Sequence, residues 1–511
     1  MPDLTRRGSG VLLHISSLPG PVGQGDLGPQ AHAFTAFLAQ AGQAWWQMLP
    51  IGPGGGAASP YQSTSAFAGD PLLISLERLA EEGWLDSADL PAEGHGHPAD
   101  GEASERVRRP LLRRAAGVFF ERGPASARGA FDAFADGQRD WLDDYCLFVA
   151  LKQAHAGRPW WDWEAPYRDR QVSALVQARE LHGAEINFQR FLQWVFHRQW
   201  QALKAVAGER GVGLIGDLPI FVSLDSADVW AQRELFDLDE AGRPLAVAGV
   251  PPDYFSAEGQ HWGNPLYRWE LHKATAYRWW AARFWRLLQL FDAVRVDHFI
   301  GFHRYWSIPA GAATAREGAY KPGPGADFFE ALRRELGGLP IIAEDLGVVT
   351  EEVERLRSDF SLPGMRVVQF SFGGEAKLLP DAYPEDSVAY TGTHDNNTTR
   401  GWLDAPAPEG REAAQAHRAE RQRALAWGAR LDSDPVWGLV AAAHASASRL
   451  AVIPAQDLLG LDAQYRMNTP GTVEGNWRFR LQPGALTPEI AQRLRAVTQR
   501  HRRLEGRGAR D

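Results

Sequence analysis

Eight short runs of β-branched or apolar residues recur along the chain, each ending in a turn or polar residue. They cover 11–15, 46–50, 212–217, 291–296, 340–343, 365–370, 388–390 and 450–453. A run that is apolar throughout, rather than at alternate positions, predicts a strand buried on both faces and hence a parallel sheet. Helical periodicity separates most of the runs, as at 269–290, 328–336 and 351–359, the last following Thr350, a residue type that caps helix N-termini. Eight strands alternating with helices predict an α/β fold of the (β/α)8 barrel type.

The spacing is uneven. About 160 residues separate the second and third runs, far more than one crossover needs. The chain therefore divides into 1–54, holding the first barrel strands; 55–205, a mostly helical insertion over the C-terminal face of the barrel; and 206–511, the rest of the barrel. Within the last part, residues 249–267 read as a lid over the rim.

Composition narrows the function. Of 511 residues, 44% are apolar and 23% charged, the balance of a globular enzyme. No apolar run is long enough to span a membrane. The net charge of -9 argues against a nucleic-acid partner. The single cysteine, Cys146, allows no internal disulfide, and the start of the chain has no signal-peptide pattern, so a cytoplasmic location is expected. No metal or other cofactor is implied: His95-Gly96-His97 has no further ligand nearby, and Gly52-Pro53-Gly54-Gly55-Gly56 lacks the Gly-Lys-Ser/Thr ending of a phosphate loop.

The strand ends supply the chemistry. Barrel enzymes work on the loops that leave the C-terminal ends of the strands. Here those ends carry Asp217, Asp297, Glu344 with Asp345, Asp395 and Asp457. Like charges on one rim repel, so such a cluster costs stability unless chemistry uses it. The contexts differ. Arg295 lies two residues before Asp297, on the same side of its strand, and a nearby cation favours the ionised carboxylate that a nucleophile requires. Glu344 follows the apolar run 340–343, and desolvation raises a carboxyl pKa, as a general acid requires. Two carboxyls pushed in opposite directions suit glycoside chemistry, with retention of configuration expected if they stand about 5 Å apart.

Asp217-Leu218-Pro219-Ile220, Arg295-Val296-Asp297-His298, Ala343-Glu344-Asp345-Leu346-Gly347 and Thr393-His394-Asp395-Asn396 resemble the four motif regions of the α-amylase superfamily. More closely, the chain resembles the 4-α-glucanotransferases, or amylomaltases. That likeness extends through Gly249-Val250-Pro251-Pro252-Asp253-Tyr254-Phe255, Gln260-His261-Trp262-Gly263-Asn264, Ser59-Pro60-Tyr61-Gln62, Arg466-Met467-Asn468-Thr469 and Gly475-Asn476-Trp477. It implies that Asp297 is the nucleophile, Glu344 the acid and then the base, and Asp395 the group that holds the sugar hydroxyls at the transition state. Arg295, His298, His394 and Asp217 would line the same subsite, and Ser59, Tyr61, Trp262 and Asn468 would contact the glucan. The partners implied are 1,4-α-glucans and glucose. Three positions depart from the family pattern: Gly54-Gly55-Gly56-Ala57-Ala58 before Ser59, Gly373-Gly374 after strand six, and Asp70 in place of a common Asn.

The resemblance implies a double displacement that moves a glucan segment to the 4-hydroxyl of a second glucan. The alternatives are an α-glucan hydrolase on the same barrel and a non-catalytic glucan-binding protein. The 20 tryptophans suit a neutral sugar, whose C–H faces pack on aromatic rings. Trp262, Trp46 and Trp402, near strand ends, are the candidates for that role, whereas Trp279, Trp280 and Trp285 read as packing on an outer helix.

Overall fold

Eight parallel strands close into a barrel in the computed structural model, which describes residues 3–54, 59–91, 101–252, 258–374, 378–472 and 474–504. The His95–His97 tract, residues 55–58 of the departing loop and residues 253–257 of the expected lid lie outside the described residues. In order, the strands are Gly8–Leu12, Trp45–Gln47, Gly213–Leu218, Ala293–Val296, Ile341–Ala343, Gly364–Val367, Ser387–Tyr390 and Leu450–Pro454. Each strand pairs with the next, and the first closes on the eighth. Every strand residue is buried except Arg366, which is half-buried, because helices cover the outside and side chains fill the inside.

The helix expected over 269–290 is two, Trp269–Ala274 and Arg278–Leu290. Ala276 and Tyr277 take left-handed backbone between them, at φ 52° and 56°. This turn sets the Tyr277 ring edge-on to Phe328 at 5.3 Å, in the helix Ala326–Leu336. Thr350 does stand at the N-cap of Glu351–Asp359, but its side chain makes no capping hydrogen bond.

Between strands two and three lie the helices Gly101–Arg122, Ala125–Gly137, Arg139–Ala154, Val172–Leu181 and the 27-residue Gly183–Glu209. Trp84, Phe119, Phe131, Phe191 and Trp194 form an aromatic core there. Position 205, the expected boundary, falls inside the last helix. The second half of that helix packs on the barrel: the Trp200 indole donates to Leu290 O at 2.7 Å, and its ring meets Phe291 at 5.1 Å. A buried ion pair, Arg108 to Asp26 at 3.0 Å, ties the helix Gly101–Arg122 to the loop after strand one.

A second sheet was not expected from the sequence. Its four antiparallel strands, in order Gln260–Pro265, Ala246–Val250, Arg304–Pro309 and Ala319–Pro322, come from the loops after barrel strands three and four. The strand Ala246–Val250 is an apolar run, but the other three carry polar or charged residues and proline.

At the opposite end of the barrel, Arg503 is fully buried. Its guanidinium donates to the carbonyls of Gly8, Ala443, His444, Ser446, Ser448 and Arg449 at 2.8 to 3.5 Å. Among the described residues, no helix is long and apolar enough to cross a membrane.

Candidate active site

Strands three and four are in register with Asp217 opposite Arg295. Nη1 of Arg295 lies 2.9 Å from both oxygens of Asp217, and Nη2 lies 2.9 Å from Oδ1 of Asp297. Burial alone would lower the Arg295 pKa, but Asp217 and Asp297 outweigh it and hold the guanidinium charged. One cation thus fixes two carboxylates on adjacent strands.

Glu344 is woven into the same corner. Its N–H donates to Val296 O and its carbonyl accepts from Phe299 N, both at 3.0 Å. His298, at φ 50°, turns the chain sharply after Asp297 and aims its N–H at Glu344 Oε2, 2.7 Å away; Leu346 N–H reaches Oε1 at 2.9 Å. Burial pushes the Glu344 carboxyl up to about 8, and the Asp297 charge adds to the rise against the pull of Arg295 and the two N–H donors. Burial also lowers the His298 pKa, so this ring sits neutral beside the acid, edge-on to Trp262 at 5.1 Å.

Asp395 lies across the rim. Desolvation would raise its pKa, but the charge and hydrogen bond of His394 and the amide of Asn468 outweigh it and hold the carboxyl well below the usual range. Nδ2 of Asn468 is 2.6 Å from Oδ1, and Nε2 of His394 is 3.2 Å from Oδ2. The carboxyls differ in access: side-chain exposure is 27% for Asp297 and 41% for Asp395, whereas Glu344 is buried. A ligand in the cleft therefore meets two accessible carboxyl groups and one desolvated acid.

Tyr61 links the two halves. Its hydroxyl donates to Oδ2 of Asp217 at 2.7 Å and lies 2.8 Å from Nε2 of His394. A phenol has one proton, and Asp217 takes it, so His394 must donate from Nε2 to the Tyr61 oxygen. Nε2 of that imidazole therefore carries a proton. Burial pushes the Tyr61 hydroxyl well above its usual range, so it stays protonated.

Eight of the sequence-derived residues thus form one hydrogen-bonded network: Asp217, Arg295, Asp297, Glu344, Tyr61, His394, Asp395 and Asn468, with the Glu344 branch joined through the His298 backbone. Trp262 and His298 edge it from the second sheet and the strand-four turn. Ser59 touches it only indirectly, its Oγ accepting from Tyr61 N at 3.3 Å.

Other expectations need correction. Asp457 is an anchor, accepting from Thr391 Oγ1, Thr399 N and Thr399 Oγ1. Asp345 faces away from the cleft, bonded to Met365 N and Arg366. Trp46 has no exposed surface; it packs on Phe34 and donates to Leu13 O at 2.7 Å, so it cannot meet a ligand. The Trp402 ring carries the Arg421 guanidinium 3.8 Å above it. Trp285 is exposed, whereas Trp280 is fully buried.

Two residues had no role assigned from sequence. Trp477, at φ 64°, brings its ring to 5.8 Å from Tyr61 and 6.0 Å from His394. Arg466 donates to the carbonyls of Asp395 and Asn468, pinning the loops that carry them. Their presence in two short polar motifs was the only signal in the sequence. Among the described residues, no cluster of three or more His, Cys, Asp or Glu could hold a metal ion.

Comparison with known proteins gives a consistent result. The profile of a family described as 4-alpha-glucanotransferase matches residues 13–487. A 4-alpha-glucanotransferase of Thermus thermophilus is 48% identical over 505 residues, covering 98% of this chain and 99% of its own. One from Synechocystis sp. is 44% identical over 504 residues, covering 97% and 98%. An amylomaltase from Streptococcus agalactiae, solved in complex with acarbose, superposes with a TM-score of 0.92 at 36% identity, covering 98% of this chain and 100% of that one.

Proposed function

The chain belongs to the 4-alpha-glucanotransferase family, and from that premise we propose how its rim moves a segment of a 1,4-α-glucan to the 4-hydroxyl of a second glucan or glucose. The observation that carries the assignment is the 2.7 Å hydrogen bond from His298 N–H to Glu344 Oε2, which holds the acid beside the residue next to Asp297. Such closeness suits a retaining double displacement, in which the second carboxylate attacks directly.

In the first step Glu344, protonated at neutral pH, gives its proton to the glycosidic oxygen while Asp297 attacks the anomeric carbon. The reducing-end fragment leaves. Asp297 becomes an uncharged ester, which removes the negative charge that helped to raise the Glu344 pKa. Glu344 therefore remains ionised and takes the proton of the acceptor 4-hydroxyl, whose oxygen displaces Asp297. Two inversions leave the α-linkage intact. Asp395, low in pKa and open to the cleft, accepts the hydroxyls of the distorting ring. Trp262 covers the His298 side and limits the access of water.

Incubation with pure maltotriose tests this. Products of unequal length with no rise in total reducing ends are expected, and a steady rise would instead mean hydrolysis. Asp297→Asn should abolish turnover while glucan binding persists.

A further inference from the structure

Tyr61 and Asp217 also line a cavity whose other lining residues have no part in the transfer reaction described above. Its wall includes Phe67, Ser223, Arg283 and Arg286, the two arginines one helical turn apart on Arg278–Leu290. Both guanidiniums are almost fully buried.

Arg286 is the unusual one. Its Nε donates to Phe67 O at 3.0 Å, Nη1 reaches Gln289 Oε1 at 3.3 Å, and the Trp141 ring lies 5.1 Å away. It forms no ion pair with any carboxylate among the described residues; burial, unopposed by a carboxylate, lowers its pKa to about 10. A desolvated cation without a counter-charge is costly. Asp228, the acid that acts on Arg283, is already engaged by Ala66 N–H at 2.8 Å, and Asp217 is committed to Arg295.

Three buried donors on residues of this cavity have no acceptor among the described residues: Nη2 of Arg286, Nε of Arg283 and Oγ of Ser223. Donors of this kind, two of them cationic, match a small anion. We propose that the cavity binds one small monovalent anion of the chloride type, held chiefly by Arg286. The anion supplies the counter-charge that the protein does not. Because Arg286 also holds the Phe67 carbonyl, occupancy stiffens the segment 61–67 that carries Tyr61.

The test uses the full-length enzyme at constant ionic strength, with gluconate exchanged for chloride or bromide. A saturable rise in Tm of about 2–5 °C is expected, and its absence in Arg286→Gln. In bromide-soaked wild-type crystals, an anomalous peak within hydrogen-bond reach of Arg286 Nη2 is expected. Ordered water there without a bromide peak overturns the proposal, as does an equal Tm rise in the variant. A response to sulfate or phosphate as strong as that to chloride overturns the monovalent assignment. Should Arg286→Gln fail to fold, the wild-type crystal decides alone.

Discussion

Arg295 grips both oxygens of Asp217 with Nη1 and reaches Oδ1 of Asp297 with Nη2, every contact at 2.9 Å. The planar fork of the guanidinium makes this possible, because its donors diverge at a fixed angle. A lysine ammonium is a point charge and cannot hold both carboxylates in place. Arg295→Lys should therefore lower kcat/KM on maltotriose by about 10²-fold, a loss of roughly 3 kcal/mol. Activity within threefold of wild type would contradict the clamp.

The Glu344 carboxyl, pushed up to about 8 by burial and then by Asp297, must be protonated at the start of the reaction. The sign follows directly: kcat/KM falls as pH rises through about 8, because the proton to be donated is lost. Glu344→Gln should cost about 10²–10⁴-fold on maltotriose. With α-maltosyl fluoride as donor, whose leaving group needs little protonation, glucosyl-enzyme formation should be largely rescued. A variant equally impaired on both donors would mean that Glu344 is not the acid.

The Tyr61 hydroxyl stands between Asp217 and His394. Tyr61→Phe removes it but leaves the ring and the Arg295 contacts. The Nε2–H of His394 then loses that acceptor, and kcat should fall about 10-fold, the loss of one charge-assisted hydrogen bond, with Tm little changed. A fall in Tm with unchanged kcat would reverse that view.

Asp70 lies away from the cleft, accepting from Leu72 N–H at 2.9 Å. Burial raises its carboxyl to about 7, against the pull of Leu72 N–H and Arg108. Because the folded pKa lies above the unfolded value of 3.8, the folded state keeps a proton that the unfolded chain releases. Its contribution to stability is fully present below about pH 4 and is lost as pH rises toward 7. Asn at this position keeps the acceptor without the charge. Asp70→Asn should raise stability by about 1–3 kcal/mol at pH 8 and by little at pH 4, read as Tm across that range.

The barrel was legible because burial on both faces writes a strand as an unbroken apolar run. The first strand is the instructive exception. It was expected at 11–15 but spans Gly8–Leu12, since Gly8-Ser9-Gly10 reads as a turn. A Cβ at Gly10 would stand 2.6 Å from Trp45 O, so the close approach of strand two, not a turn, explains that glycine. The second sheet was illegible because three of its four strands are polar or mixed and the sheet is defined only by pairing across loops. The carboxylates were visible as types, and the Arg295 context and the motif resemblance marked Asp297. That Asp457 is an anchor was not visible, because only the direction of its side chain, toward Thr391 and Thr399, shows it.

The Arg503 clasp has a consequence for how the molecule is made. It bonds to Gly8 O in strand one and to Arg449 O just before strand eight, and those two strands pair only with each other at the seam. Strand one therefore leaves the ribosome hundreds of residues before its partner exists. Throughout that interval it lacks its strand-eight partner, and the clasp cannot lock until Arg503 has emerged. Closure thus ties together positions 495 residues apart, and the barrel is completed only once strand eight and Arg503 have both been made.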